Sequence, residues 1–130
     1  MILQIEPESE IPIYQQITNQ IIEGIACGSI QPGDSLPSVR AFAADLGINM
    51  HTVNKSYHQL EKKGIIRIVP KSGAVISSPL DFNESSLDRL KNEYQLLIAE
   101  SLVVGMSNDQ IQELVTTIIH DIIKKKEANL

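Results

Sequence analysis

Apolar positions recur in steps of three and four over most of this chain, the signature of helices with one buried face. Ile13, Ile17, Ile21 and Ile25, joined by Tyr14 and Ile22, define a first helix over Pro12–Ala26. Pro12 suits a first helical position, where no N–H is needed, and Gly28 follows where a helix can end. A turn cluster, Gln31-Pro32-Gly33-Asp34, comes next. Val39, Phe42, Ala43 and Leu46 share one face of a short second helix, with Ser38 as its cap and Gly47 as its stop. Asn49 opens a third helix that runs to about Lys63 and buries Val53, Tyr57 and Leu60. Two helices joined by a short glycine-containing turn are the helix-turn-helix layout. The period then changes from helical to extended. The β-branched runs Ile65–Val69 and Ala74–Ser78, joined by Pro70-Lys71-Ser72-Gly73, predict a hairpin. A hairpin directly behind the third helix is a wing.

Beyond a linker at residues 80–83, helical spacing returns. Ser85 with Asp88 predicts a capped start, and Leu87, Leu90, Tyr94, Leu97, Ser101 and Val104 form the seam of a helix ended by Gly105. Ser107 with Gln110 fits a capping box for a last helix. Its apolar positions are Ile111, Leu114, Val115, Ile118, Ile119, Ile122 and Ile123, and Lys124–Lys126 stand at its end, where the helix dipole favours cations. The fold expected is mainly α with a small β-wing. A winged helix-turn-helix over residues 11–79 precedes a two-helix segment over 84–126.

Composition changes this picture in two respects. With 42% hydrophobic residues but only 4% aromatic and no Trp in 130 residues, the core must be built from Ile, Leu and Val. The net charge of −5 argues against a nucleic-acid partner until it is divided by region. Residues 1–35 carry five acids and no Lys or Arg; residues 36–79 carry six bases against two acids; residues 80–130 carry five bases against nine acids. Positive charge is therefore concentrated in the helix-turn-helix and wing, where a phosphate-facing surface needs it. No apolar run approaches a membrane span, residues 1–10 do not read as a signal peptide, and the single Cys27 allows no intrachain disulfide. A cytoplasmic protein without a membrane association is expected.

The ordered pieces Pro12-Ile13-Tyr14-Gln15-Gln16-Ile17, Pro32-Gly33-Asp34-Ser35-Leu36-Pro37-Ser38-Val39-Arg40, Ala43-Ala44-Asp45-Leu46-Gly47-Ile48-Asn49, Thr52-Val53-Asn54-Lys55-Ser56-Tyr57 and Leu60-Glu61-Lys62-Lys63-Gly64 resemble the DNA-binding domain of the GntR family of bacterial transcription regulators. The short all-helical remainder resembles the YtrA-like subfamily, whose two-helix tail dimerises the protein. The resemblance implies a repressor, often of an operon encoding an ABC transporter and the regulator itself. Two departures bear on base contacts. The wing tip, often Gly-x-Gly in the family, is Lys71-Ser72-Gly73, and the third helix, which often starts with an Arg, starts with Met50-His51.

In such a domain the third helix lies in the major groove with its N-terminal residues toward base edges. Asn49, Met50, His51, Thr52, Asn54 and Lys55 stand near that end. Thr52 and Asn54 suit base reading, since Asn pairs with adenine and Thr or Met meets a thymine methyl. Asn49 is either a reader or a cap, and His51 either bonds a base or phosphate or is solvated. Ser38 caps the second helix and presents an N–H to phosphate. The resemblance gives Arg40 a DNA contact. Lys71 and Ser72 are placed to reach backbone or minor groove, with Gly73 permitting a close approach. Tyr57 reads as core, and Lys62 and Lys63 as a solvated face.

Few arginines make one reader weak, so two half-sites read by a homodimer are expected, on a pseudo-palindromic operator in double-stranded DNA. The dimer contact is assigned to Leu87, Leu90, Tyr94, Leu97, Ile111, Leu114, Val115, Ile118, Ile119 and Ile122, because one helix hairpin cannot cover both its stripes. No enzyme, metal or cofactor is indicated: His51, His58 and His120 have no metal-ligand spacing, and no phosphate loop is present. Two other classes stay open. One is a winged-helix adaptor that binds protein; the polar, basic third-helix face favours DNA over it. The other is a ligand-responsive sensor with a pocket at the dimer interface, its effector unknown, since two tail helices enclose little volume.

Overall fold

A computed structural model describes residues 3–79 and 83–130. The linker expected at 80–83 falls, apart from Asn83, outside the described residues. The chain divides into two compact units, Met1–Asp81 and Phe82–Leu130.

The first unit runs α1 (Ile13–Ala26), β1 (Ser35–Leu36), α2 (Val39–Leu46), α3 (Met50–Lys62), β2 (Ile66–Val69) and β3 (Gly73–Ile76). Its sheet is antiparallel in the order β1-β3-β2. Ser35 and Leu36 pair with Val75 and Ala74 on one side of β3, and Ile66 through Val69 pair with Ile76 through Gly73 on the other. The core is mainly aliphatic, but the aromatic rings of Phe42 and Tyr57 stand in it as well, so it is not built from Ile, Leu and Val alone. Ile17 and Ile21 of α1, Phe42 and Ala43 of α2, and Val53, Tyr57 and Leu60 of α3 close over Leu36, Ile66, Ala74 and Ile76. The Phe42 and Tyr57 rings meet edge-on with centroids 6.0 Å apart.

Two features escaped the periodicity. Residues 3–11, read only as an acidic start, lie along α1: Leu3 and Ile5 pack on the core. Two reciprocal amide pairs hold this arm. The Gln4 N–H donates to Gln20 Oε1 (2.9 Å) while Gln20 Nε2 donates to the Gln4 carbonyl (2.7 Å). The Glu6 N–H donates to Gln16 Oε1 (2.8 Å) while Gln16 Nε2 donates to the Glu6 and Ile11 carbonyls. Strand β1 is the second: two residues are too short to show alternation. Helix α1 also starts one residue later than expected, because Pro12, at ψ 147, stands outside the helix as its cap.

The second unit is α4 (Glu84–Val103) and α5 (Asn108–Ala128). The start of α4 differs from the expectation: Asn83, not Ser85, is the cap, accepting from the Ser86 N–H at 2.9 Å. At α5 the Ser107 hydroxyl accepts from the Gln110 N–H, and the Gln110 side chain accepts from the Ser107 N–H at 2.8 Å. No residue of either helix is buried. None of the described helices is long and apolar enough to cross a membrane.

Candidate nucleic-acid interface

The surface in question is built where three chain segments converge: the start of α2, the start of α3, and the β2–β3 wing. Each start is fixed by its own cap. Ser38 Oγ accepts from the Ala41 N–H at 3.1 Å, and Asn49 Oδ1 accepts from the His51 N–H at 2.7 Å. Between the helices Gly47 takes φ 68, the left-handed conformation that turns the chain sharply enough for α3 to start three residues after it.

Tyr57 ties α3 to the segment before α2. Its ring is fully buried and its hydroxyl donates to the Pro37 carbonyl at 2.7 Å. Burial pushes the phenol above its ordinary value, so it stays neutral and remains a donor. The bond sets the backbone one residue before Ser38. On the wing side, Gly73 is buried at φ 103, and a Cβ added there would collide with the Leu36 carbonyl oxygen and stand 2.8 Å from the Pro37 carbonyl carbon. The close approach that Gly73 permits is therefore to β1 of its own domain.

Together these restraints shape a groove of about 460 Å³ lined by Ser38, Arg40, Met50, Asn54, Lys71 and Gly73, with Val39, Tyr57, Ile68 and Val69 as its apolar wall. Six of the expected residues thus share one concave surface. Arg40 and Lys71 are exposed and have no ion pair among the described residues. The remaining candidates lie around this groove. Asn49, His51 and Ser72 are exposed, and Thr52 is half-buried beside them in sequence. Lys55 is turned toward α1: its Nζ stands 4.1 Å from the centroid of the Tyr14 ring, a cation–π contact. The apolar wall was not foreseen. Ile68 and Val69 sit on a strand whose outer edge is tied down, since Glu61 accepts from the Ile68 N–H at 2.8 Å. The β-branched run that predicted the strand was the only sequence signal for them.

A capped recognition helix, a second helix start and a wing opening onto one basic-rimmed groove define a winged-helix, DNA-binding transcription regulator. The family profile of the bacterial regulatory proteins of the gntR family matches residues 13–76. Nearly the whole chain is similar to the HTH-type transcriptional repressor YtrA of Bacillus subtilis, with 34% identity over 122 residues, 92% of this chain and 94% of that protein. Among solved structures, YtrA from Sulfolobus acidocaldarius, a GntR-family transcription factor, is 42% identical over 79% of this chain and 99% of that chain, with a TM-score of 0.66. A transcriptional antiterminator from Listeria monocytogenes is 30% identical over 95% of this chain and 93% of that chain, with a TM-score of 0.81. The chain belongs to the GntR family and, within it, to the YtrA-like subfamily.

Proposed function

We propose that this protein is a homodimeric repressor that binds a pseudo-palindromic operator. Residues 11–79 act as the reader and 84–126 as the dimerisation segment. The observation that carries the reading is the groove that gathers Ser38, Arg40, Met50, Asn54 and Lys71 around the start of α3. Arg40 and Lys71 supply charge for phosphate, which positions the reader, while Asn54, Thr52 and Met50 stand where base edges would be read. Asn49 and Ser38 act mainly as caps whose helix starts receive phosphate; His51 and Ser72 extend the contact on either side. Lys55, drawn to Tyr14, contributes through the positive field more than through direct contact. The subfamily resemblance further suggests control of an ABC transporter operon together with the regulator's own gene.

The test is a binding assay with DNA from upstream of the protein's own gene against scrambled DNA at two salt concentrations. Tight binding to the former alone, with a footprint of two related halves, is expected. Arg40→Ala should weaken it by about 1–3 kcal/mol and lower the salt slope by about one. Equal, weak binding to both DNAs with no footprint would overturn the operator reading and favour a protein-binding adaptor.

A further inference from the structure

On the first unit, away from the groove just described, a hollow of about 630 Å³ opens between the N-terminal arm, the α1–β1 loop and α2. Its size lies within the range of small-molecule sites. Leu3, Ile30, Leu36 and Phe42 give it an apolar floor, and Asp34 and Asp45 stand on its rim. A second hollow of about 430 Å³ shares its Leu3 and Ile30 walls and adds Glu23. No Lys or Arg lines either one, and residues 1–35, which supply half of the first lining and all of the second, carry five acids and no Lys or Arg. Asp34 uses Oδ2 on the Gln31 N–H at 2.8 Å. Asp45 is exposed and has no ion pair among the described residues.

We infer that this hollow binds a small organic cation with an apolar body, of the alkylammonium type. The floor takes the hydrocarbon and the acidic rim takes the charged head, whereas an anion of the same shape meets uncompensated carboxylates. The walls also adjoin the DNA-facing side. Leu36 and Pro37 line the hollow; the Pro37 carbonyl accepts from the Tyr57 hydroxyl, and both residues lie where a Cβ on Gly73 would go. An occupant that favours a different position of residues 36–37 therefore shifts Ser38 and the wing base together, and it changes operator affinity by its differential affinity for the two positions. That coupling, unlike the occupancy itself, rests on the repressor reading.

The full chain, without DNA, is titrated with octylammonium and with octyl sulfate below micelle-forming concentrations, and amide shifts are followed by NMR. Saturable shifts centred on Leu3, Ile30, Asp45 and Leu46 with octylammonium alone are expected. The Asp34→Asn/Asp45→Asn double variant should bind about fivefold more weakly with its melting temperature nearly kept, since both side chains are exposed. Absence of saturable shifts, equal binding of octyl sulfate, shifts centred on α4 and α5, or undiminished binding by the double variant would each overturn the site. In a second arm, octylammonium at saturation is expected to change the affinity for labelled upstream DNA of the wild-type chain and not of the double variant. Occupancy without any such change overturns the coupling; failure to bind DNA with or without the amine overturns the repressor reading and leaves the site standing.

Discussion

Lys71 shows how one residue can oppose the turn it sits in. The Ser72 N–H donates to the Val69 carbonyl at 3.0 Å, closing a turn in which Pro70 and Lys71 are central. Lys71 takes φ 66, the only positive φ outside glycine among the described residues. A turn with Pro at its second place and positive φ at its third favours glycine there. Glycine is also what the family commonly carries at this wing tip. Lys71→Gly should therefore raise stability by about 0.5–1 kcal/mol in thermal unfolding while weakening operator binding; a loss of stability would show that the lysine stem packs on the wing. Tyr57 makes the converse argument. Its phenol titrates at higher pH in the folded state than its ordinary 10.0. As pH rises past that value the unfolded chain gives up the proton first, so the folded state holds more protons and stability falls. The loss begins near pH 10 and continues until the folded phenol ionises, with a slope approaching about 1.4 kcal/mol per pH unit. Tyr57→Phe should remove that alkaline component and cost about 1–2 kcal/mol at neutral pH, because the Pro37 carbonyl loses its donor. Urea unfolding at pH 7 and above pH 10 measures both. The sequence marked Tyr57 as core through its place in the α3 stripe; its bond to a carbonyl twenty residues earlier has no sequence signature.

At the scale of elements, local chemistry was legible and long-range polar chemistry was not. The caps at Ser38, Asn49 and Ser107 each act within three residues, and their hydrogen bonds form where the sequence placed them. Asn83 displaced the expected Ser85 because both can cap and the competition was decided two residues earlier. What binds α1 to α3 lies beyond such reasoning. Thr18 and Ser56 are fully buried and share a hydrogen bond of 2.9 Å, and the Thr18 hydroxyl stands 2.7 Å from Gln59 Oε1. With Ser56 donating to Thr18 and Thr18 to Gln59, each hydroxyl proton has one acceptor. Gln59 Nε2 continues the chain to Gln15 Oε1 at 3.1 Å. A stripe read for apolar residues treats these positions as the polar flank of each helix. Thr18→Val keeps the shape but leaves Ser56 and Gln59 short of a partner, at a cost of about 1–3 kcal/mol. Thermal unfolding checks it. A value near zero would mean that water serves the two groups as well as Thr18 does.

For the whole molecule, the contrast between the two units decides what can stand alone. The first has a closed core in which Ile17, Ile21, Val53, Tyr57 and Leu60 are fully buried. The second has two helices of 20 and 21 residues, in which no residue is buried. Nine of the ten residues assigned to dimerisation are exposed, with Ile111 partly covered, and Leu96, Ile98, Leu102 and Val103 add further open apolar surface. That surface extends beyond the seam read from the sequence, since a three-and-four pattern records one stripe and these side chains stand around it. Helices with marginal propensity and no buried face do not persist in water on their own, and an apolar area of this extent calls for a partner. In the dimer proposed above, a second copy would supply it with matching chemistry, because each chain exposes the same stripes and a two-fold contact is self-complementary. Ile118 and Ile119 lie at the middle of α5, each about half exposed. A double Ile118→Glu/Ile119→Glu substitution removes nothing from the core of the first unit. It should shift the sedimenting species from twice 14.4 kDa to 14.4 kDa and reduce helicity by the share that α4 and α5 contribute. It should also make operator binding weak and non-cooperative, while the melting of the first unit is kept. In the wild-type chain the tail transition should move to lower temperature on dilution, as mass action requires of a dimer. A tail that melts independently of concentration, in a chain that sediments at 14.4 kDa before any substitution, would show that the hairpin is stabilised within one chain and that half-sites are read singly.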